Sequence, residues 1–161
     1  MNIFDYAIQM EKDGEAYYRQ LADKCHIQGL KKILGMLADD EVGHYDAFEK
    51  LKKGIDAEVP GSRILENAKN VFQDIKETET GFDFDVSGIE LYNKAIEIEK
   101  KGEDFYREKA NEVEQPGIKF ILLNIAEDEK KHRFLLENTV EFLSRPKTWI
   151  ENAEFYHLDE Y

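Results

Sequence analysis

The sequence predicts an all-α protein, an antiparallel four-helix bundle built from two repeated helical hairpins. Three observations support this fold class. Apolar residues recur at intervals of three and four over four long segments, which is the spacing of one helix face. The segments form two pairs, and the second pair repeats the first at an offset of 88 residues. The loop within each pair is short, which requires antiparallel neighbours.

The chain has 161 residues, the size of one ordinary domain. The prediction divides it into a bundle over 1–144 and a C-terminal tail over 145–161; the bundle comprises a first repeat over about 3–53, a crossover over 54–86 and a second repeat over about 87–144. Pro146 ends the last helix. The tail is too apolar for a free segment and is expected to pack on the bundle or on a second subunit; it carries Trp149, Ile150, Phe155, Tyr156 and Tyr161.

The first hairpin is predicted to contain helices over about 2–24 and 29–53. Its inward positions are apolar or small: Ile3, Ala7, Met10, Gly14, Tyr18, Leu21, Leu30, Ile33, Leu34, Leu37, Phe48 and Leu51. Glu11 lies on the same stripe of the first helix, and Glu41 and His44 continue the stripe of the second. Because solvated polar side chains would lie on the opposite faces, these three are predicted to be buried.

The crossover between the hairpins contains a short predicted helix. Pro60, Gly61 and Ser62 mark a break, and Ser62 is a suitable N-cap residue. The helix follows from the apolar positions Ile64, Leu65, Ala68, Val71, Phe72 and Ile75. A second break falls at 81–85. A connection of this length lets the second hairpin dock against the first.

The second hairpin is predicted to contain helices over about 87–112 and 116–144. Pro116 fits the first turn of the last helix, where its missing N–H is not needed. The inward positions are Leu91, Ala95, Ile98, Gly102, Tyr106, Ile118, Ile121, Leu122, Ile125, Leu136, Val140 and Leu143. Glu99, Glu129 and His132 share these stripes and match the polar residues of the first hairpin.

The two hairpins are an internal repeat. Residues 7–44 overlay residues 95–132 without a gap, and 17 of the 38 paired positions are identical. Agreement at this level is far above chance for two unrelated helical hairpins. The identical pairs include Glu11/Glu99, Gly14/Gly102, Glu15/Glu103, Tyr18/Tyr106, Asp40/Asp128, Glu41/Glu129 and His44/His132. The polar residues on the apolar stripes therefore occur together, at the same places, in both halves.

Glu and His three residues apart on a helix point the same way, so each half brings a carboxylate and an imidazole to one point. Four unpaired carboxylates in one core would cost several kcal/mol each, which bound cations offset. Oxygen and nitrogen ligands without thiolate suit iron or manganese, and zinc less distinctively. The predicted ligands of two metal ions are Glu11, Glu41, His44, Glu99, Glu129 and His132. By symmetry, Glu41 and Glu129 are expected to bridge.

Several repeated neighbours are candidates to support these ligands. Asp40 and Asp128 could accept the other ring N–H of a histidine and fix its tautomer. Tyr18 and Tyr106 could hydrogen-bond a ligand carboxylate or a bound oxygen species, or simply be core aromatics. The other pairs have structural interpretations: Gly14 and Gly102 give close helix approach or room for a neighbouring side chain, and Glu15 and Glu103, at the stripe edge, are solvated or ion-paired.

The motifs resemble those of the rubrerythrin branch (erythrins) of the ferritin-like di-iron carboxylate superfamily. The similar stretches are AIQMEKDGEAYYRQLA with LADDEVGH, and AIEIEKKGEDFYREKA with IAEDEKKH. The resemblance covers roughly residues 3–144. It implies a ferritin-like bundle, two iron ions at the six residues above, and dimers that sometimes exchange helices.

The sequence departs from rubrerythrins at two places. Rubrerythrins carry a rubredoxin domain with four cysteines, whereas Cys25 is the only cysteine here, so an external rubredoxin-like donor is expected to supply electrons. They also have an extra glutamate ligand at the position of Gly102. Glu103, next to it, is a candidate replacement.

Three functions are compatible with these features. The first is an oxidoreductase of oxidative-stress defence that reduces hydrogen peroxide or dioxygen at the di-iron centre. The second is ferritin-like binding and oxidation of Fe(II). The third is a metal-stabilised structural module without turnover.

Composition excludes several partners and compartments. The formal net charge is −13, with 35 acidic against 22 basic residues, which argues against nucleic acid or an anionic membrane surface. No segment has the roughly 18 apolar residues of a membrane span, and no secretory signal is recognisable. The expected location is the cytoplasm, and the expected state is a homodimer.

Overall fold

The computed structural model describes residues 2–78, 88–144 and 158–161. Within these ranges the chain forms five helices and no strand: α1 Ile3–Lys24, α2 Gln28–Lys52, α3 Ile64–Thr78, α4 Ile89–Glu112 and α5 Pro116–Ser144. Helices α1 and α2 form one hairpin and α4 and α5 the other, while α3 packs against α2 and α5. The all-α, ferritin-like helical bundle predicted from the sequence is confirmed.

The helix ends follow from local chemistry. Asn2 caps α1 by accepting a hydrogen bond from the N–H of Asp5 at 2.9 Å. Ser62 Oγ accepts from the N–H of Ile64 at 3.1 Å, where α3 begins. Pro116 opens α5 as predicted. The break predicted at 81–85 lies outside the described residues.

The core consists of two apolar clusters at opposite ends of the bundle. One contains Tyr18, Ala38, Ala95 and Leu135 and includes the apolar face of α3. The other cluster contains Ala7, Phe48, Tyr106 and Ala126. Each of the four long helices contributes to both clusters, and the six predicted ligands lie on these helices between the two contributions. The polar residues therefore form a layer inside an otherwise apolar core.

The buried face of α4 differs from the prediction at two positions. Leu91 and Ile98 are 37% and 39% exposed, so their predicted inward orientation is wrong. The buried stripe of α4 instead contains Tyr92, Ala95, Glu99, Gly102, Glu103, Tyr106 and Ala110. Its centre lies about one residue further along than predicted, because spacing alone does not fix the edges of a helix face.

The described end of the chain contacts the bundle. Leu158 is buried in the cluster that includes α3, and Asp159 pairs with Lys69 at 2.8 Å. Tyr161 packs on Phe134 with ring centroids 5.2 Å apart. The apolar tail residues Trp149, Ile150, Phe155 and Tyr156 lie outside the described residues. Among the described helices, none combines the length and apolar composition that crossing a membrane requires.

Candidate metal centre

The structure brings all six predicted ligands together in the polar layer. Helix α1 contributes Glu11, α4 contributes Glu99, and α2 and α5 each contribute a Glu-x-x-His pair. Every one of the six is at most 4% exposed. Two groups of four offer ligand atoms that all lie within 4.8 Å of one another: Glu11, Glu41, His44 and Glu129, and Glu41, Glu99, Glu129 and His132. Glu41 and Glu129 belong to both groups, which is the arrangement that two adjacent ions with shared carboxylates require.

The imidazoles face the carboxylates through their Nδ1 atoms. His44 Nδ1 lies 3.3 Å from Glu11 Oε2 and 3.3 Å from Glu129 Oε1. His132 Nδ1 lies 3.1 Å from Glu41 Oε1 and 3.3 Å from Glu99 Oε1. Nδ1 is therefore the nitrogen of each ring that is available to a metal ion.

The other ring nitrogen of each histidine is held by an aspartate of the opposite repeat. His44 Nε2 lies 2.9 Å from Asp128 Oδ2, and His132 Nε2 lies 2.8 Å from Asp40 Oδ2. In the neutral imidazole that a metal ion binds, an Nε2–H that donates to a carboxylate leaves the Nδ1 lone pair facing the centre and makes it a better ligand. The pairing crosses between the repeats, so neither hairpin alone orients its own histidine.

The repeated tyrosines also cross between the repeats. Tyr18 donates its hydroxyl hydrogen to Glu99 Oε1, and Tyr106 donates to Glu11 Oε1. Burial, followed by the charge of the acceptor glutamate, raises the pKa of both phenols well above the ordinary value. The hydroxyls therefore stay protonated and fix one oxygen each of Glu11 and Glu99, the two glutamates that belong to only one ligand group and are called the end glutamates below.

Two helix glycines make room for the shared glutamates. A Cβ atom on Gly14 would lie 3.0 Å from Glu41 Oε2, and one on Gly102 would lie 2.8 Å from Glu129 Oε2. A side chain at either position would displace a shared carboxylate. The repeated glycines thus provide the room for a neighbouring side chain that the sequence indicated.

Burial and mutual repulsion perturb the protonation of the centre. Burial, reinforced by neighbouring glutamates, raises the pKa of Glu41 and Glu129 well above normal. Burial opposes charge on His44 and His132, but the end glutamates and the aspartates outweigh it and raise the pKa of both. Burial also opposes charge on Glu11, yet hydrogen bonds from Glu41, His44 and Tyr106 lower its pKa to about 2. These shifts favour the neutral form of Glu41 and Glu129 and the charged form of the two histidines.

The donor set fits divalent or trivalent metal ions. Three buried carboxylate oxygens have no hydrogen-bond partner among the described residues: Glu41 Oε1, Glu99 Oε2 and Glu129 Oε1. The first and third lie near histidine Nδ1 atoms, as described above, without hydrogen-bond geometry. Buried oxygens left in this state are costly. Coordination would satisfy them, and the mixture of carboxylate and imidazole matches iron or manganese.

Glu15 and Glu103 lie away from the centre. Glu103 is buried and pairs with Arg133 at 2.8 Å and with Arg107 at 2.9 Å. Glu15 pairs with Arg19 at 3.1 Å. The ion-paired interpretation of both therefore agrees with the structure. Glu103 does not replace the extra glutamate that rubrerythrins have at the position of Gly102, because two arginines hold its carboxylate elsewhere.

A cavity of about 210 Å³ leads to the centre between α1 and α4. Tyr6, Met10, Ile98 and Lys101 line it on the outside, and the four ligand glutamates with Gly14 and Gly102 line it on the inside. Exposure of Ile98 follows from its place beside this opening. No pattern in the sequence indicates the cavity, because it depends on how α1 and α4 pack.

Sequence reasoning also missed the position of Ser62. The sequence predicts only an N-cap at Ser62. In the structure its hydroxyl accepts from the N–H of Ile64, and the residue also contacts both aspartates that hold the histidines. No pattern could have revealed this role, because Ser62 lies in the crossover, between the two repeats.

A comparison with family models matches the model described as Rubrerythrin over residues 2–83 and 90–158. Neither the curated proteins nor the solved structures that were compared include a match. The family match spans most of the chain and includes all six residues of the polar layer. The chain belongs to the rubrerythrin family, and its buried carboxylate and histidine cluster is compatible with a di-iron site.

Proposed function

We propose that this protein is a non-haem di-iron protein that reduces hydrogen peroxide, or dioxygen, with electrons from an external donor. The observation that carries the proposal is the pair of four-residue groups that share Glu41 and Glu129. Glu11 with His44 would complete the coordination of one ion, and Glu99 with His132 that of the other. Bound iron would supply Lewis acidity and reversible one-electron chemistry.

The surrounding residues hold the donors in place and shield them from water on two sides. Tyr18 and Tyr106 hold the end glutamates, and Asp40 and Asp128 hold the histidines. Except through the cavity between α1 and α4, the apolar clusters on both sides exclude bulk water, which strengthens electrostatic interactions within the layer. This arrangement favours a small-molecule reaction at a protected centre.

The size of the cavity favours a small substrate. Its volume of about 210 Å³ corresponds to about seven water molecules, at about 30 Å³ each in the liquid. Sites for larger organic ligands are usually about 300–1,000 Å³. Hydrogen peroxide and dioxygen fit this volume, and both are expected in the rubrerythrin family.

The reaction requires a source of electrons. Converting one hydrogen peroxide molecule to two water molecules consumes two electrons and two protons. The sequence contains one cysteine, so it cannot build a four-cysteine rubredoxin-type iron site. We propose that a rubredoxin-like protein supplies the electrons.

Stopped-flow spectroscopy tests the function. Protein loaded anaerobically with Fe(II) is mixed with peroxide or with oxygenated buffer, with a rubredoxin as reductant. Rapid oxidation by peroxide and sustained turnover would support the proposal. Oxidation by oxygen with retention of many irons per chain would replace it with ferritin-like iron handling, and absence of either reaction would leave a metal-stabilised module.

A further inference from the structure

Ser62 links the two aspartates that hold the histidines of the centre. Its backbone N–H donates to Asp128 Oδ1 at 2.8 Å, and its hydroxyl donates to Asp40 Oδ2 at 2.5 Å. Asp128 Oδ2 contacts His44 Nε2, and Asp40 Oδ2 contacts His132 Nε2. One crossover residue therefore connects both imidazoles.

Ser62 is itself held in place from two sides. Its carbonyl oxygen accepts a hydrogen bond from Lys131 Nζ at 3.3 Å. Its Oγ atom accepts from the N–H of Ile64 at 3.1 Å while donating to Asp40. With Oγ engaged as an acceptor, its single hydrogen is left for the aspartate.

The two connections differ in kind. The His44 end depends on the backbone of Ser62, which any residue except proline supplies. The His132 end depends on the side chain. The aspartates differ as well, because the Asp40 side chain is 29% exposed and that of Asp128 only 3%. The partly exposed carboxylate of Asp40 is less enclosed by neighbouring side chains, so a hydroxyl donor contributes more to its orientation.

We propose that Ser62 is a positioning residue that acts through Asp40 on His132, and that it makes the two metal positions unequal. The inference rests on the proposed di-metal centre. Outer hydrogen-bond partners of metal-bound histidines typically change metal affinity by about 10–100-fold. Ser62 lies one contact further out, so we expect the lower end of this range, about tenfold, and at one position only.

Metal titration of the full chain tests this inference. Anaerobic calorimetry with Co(II) should give two ions per chain for the unmodified protein and for S144A. Ser144 is a matched control, because its hydroxyl donates to Val140 O and has no contact with the centre among the hydrogen bonds described. The S62A variant should retain one ion at unchanged affinity and bind the other about tenfold more weakly. The S62T variant keeps the hydroxyl and should bind both ions with the affinity of the unmodified protein.

A double-variant comparison assigns the weakened position. Adding S62A to D40N should have no further effect, whereas adding it to D128N should have its full effect. Mössbauer spectra of ⁵⁷Fe-loaded S62A should show a change in one of two quadrupole doublets. If a folded S62A variant binds both ions equally more weakly, or binds both with unchanged affinity, the inference about Ser62 is wrong. The proposed function would not be affected by that result. Failure of the unmodified protein to bind any metal would overturn the proposed function as well.

Discussion

Tyr18 in α1 donates its hydroxyl hydrogen to Oε1 of Glu99 in α4, 81 positions away. Tyr106 in α4 does the same for Glu11 in α1. The aspartates cross between the repeats in the same manner. Each hairpin therefore supplies metal ligands and orients those of the other hairpin, so the centre exists only when both are docked.

Replacement of Tyr18 by phenylalanine should destabilise the metal-free protein. It removes the donor to a buried carboxylate oxygen, which costs about 1–3 kcal/mol. For a chain of this size each kcal/mol lowers Tm by about 2–4 °C. Calorimetry of Y18F checks the value. Y17F is the control, because the Tyr17 hydroxyl donates to Leu91 O at an exposed position; an equal loss in both variants would contradict the prediction.

Replacement of Gly102 by alanine should weaken metal binding even though alanine is the better helix former. The added methyl group would lie 2.8 Å from Glu129 Oε2 and displace that carboxylate. G43A in α2 is the control, because a Cβ there meets no atom within 4 Å. It should gain about 0.5–1 kcal/mol of stability and keep its metal content. Metal analysis after dialysis separates the two, and full metal content in G102A would refute the steric argument.

Replacing a shared glutamate by glutamine should weaken the binding of both ions, whereas replacing an end glutamate should weaken the binding of only one. Glu129 belongs to both ligand groups and Glu99 to one. We therefore expect E129Q to lose both ions and E99Q to lose one under the same dialysis. E15Q is the matched control, because Glu15 lies outside both groups. Identical stoichiometry in E129Q and E99Q would rule out the proposed sharing.

Raising the pH should destabilise the metal-free protein. Burial and neighbouring glutamates raise the folded-state pKa of Glu41 and Glu129, and the end glutamates raise that of His44 and His132 against the effect of burial. Groups with a raised pKa contribute stability below their unfolded-state pKa and lose it as the pH rises through the folded-state value. Tm of chelator-treated protein should therefore be lower at about pH 9 than at about pH 6.

Metal binding should weaken as the pH is lowered, whereas the stability of the metal-free protein should increase. Ions must displace the protons held by Glu41, Glu129 and the two histidines, so uptake releases protons and the apparent affinity falls as the pH is lowered. Glu11, whose pKa is lowered to about 2, contributes stability above its unfolded-state pKa and loses it only as the pH falls towards that value. Titrations in buffers of different ionisation enthalpy count the released protons, and uptake without proton release would contradict this account.

Much of the bundle could be predicted because apolar residues recur at the same helical spacing in every long segment. The spacing of apolar residues located five helices to within a few residues, and the repeat indicated that six polar side chains share one core. Leu91 and Ile98 were misplaced because apolar spacing locates a helix face only to within about one residue and does not fix its edges.

Contacts between residues of different hairpins could not be predicted from the sequence. The repeat showed that Asp40, Asp128, Tyr18 and Tyr106 matter together, but not that each serves the opposite hairpin, because that depends on how the hairpins dock. The contact of the Ser62 hydroxyl with Asp40 depends in turn on how the crossover packs on the bundle. These contacts lie 22 to 95 positions apart along the chain, and no local pattern encodes them.

The reciprocal contacts also bear on the ancestry of the molecule. A single hairpin that paired with an identical copy of itself would place every tyrosine and aspartate opposite the ligand it now serves, so a symmetric dimer of half-length chains would have needed no new residues. Gene duplication and fusion would then have added the crossover. Ser62 lies in the crossover, which has no counterpart in the repeat. A residue there contacts the two halves differently and so makes them unequal.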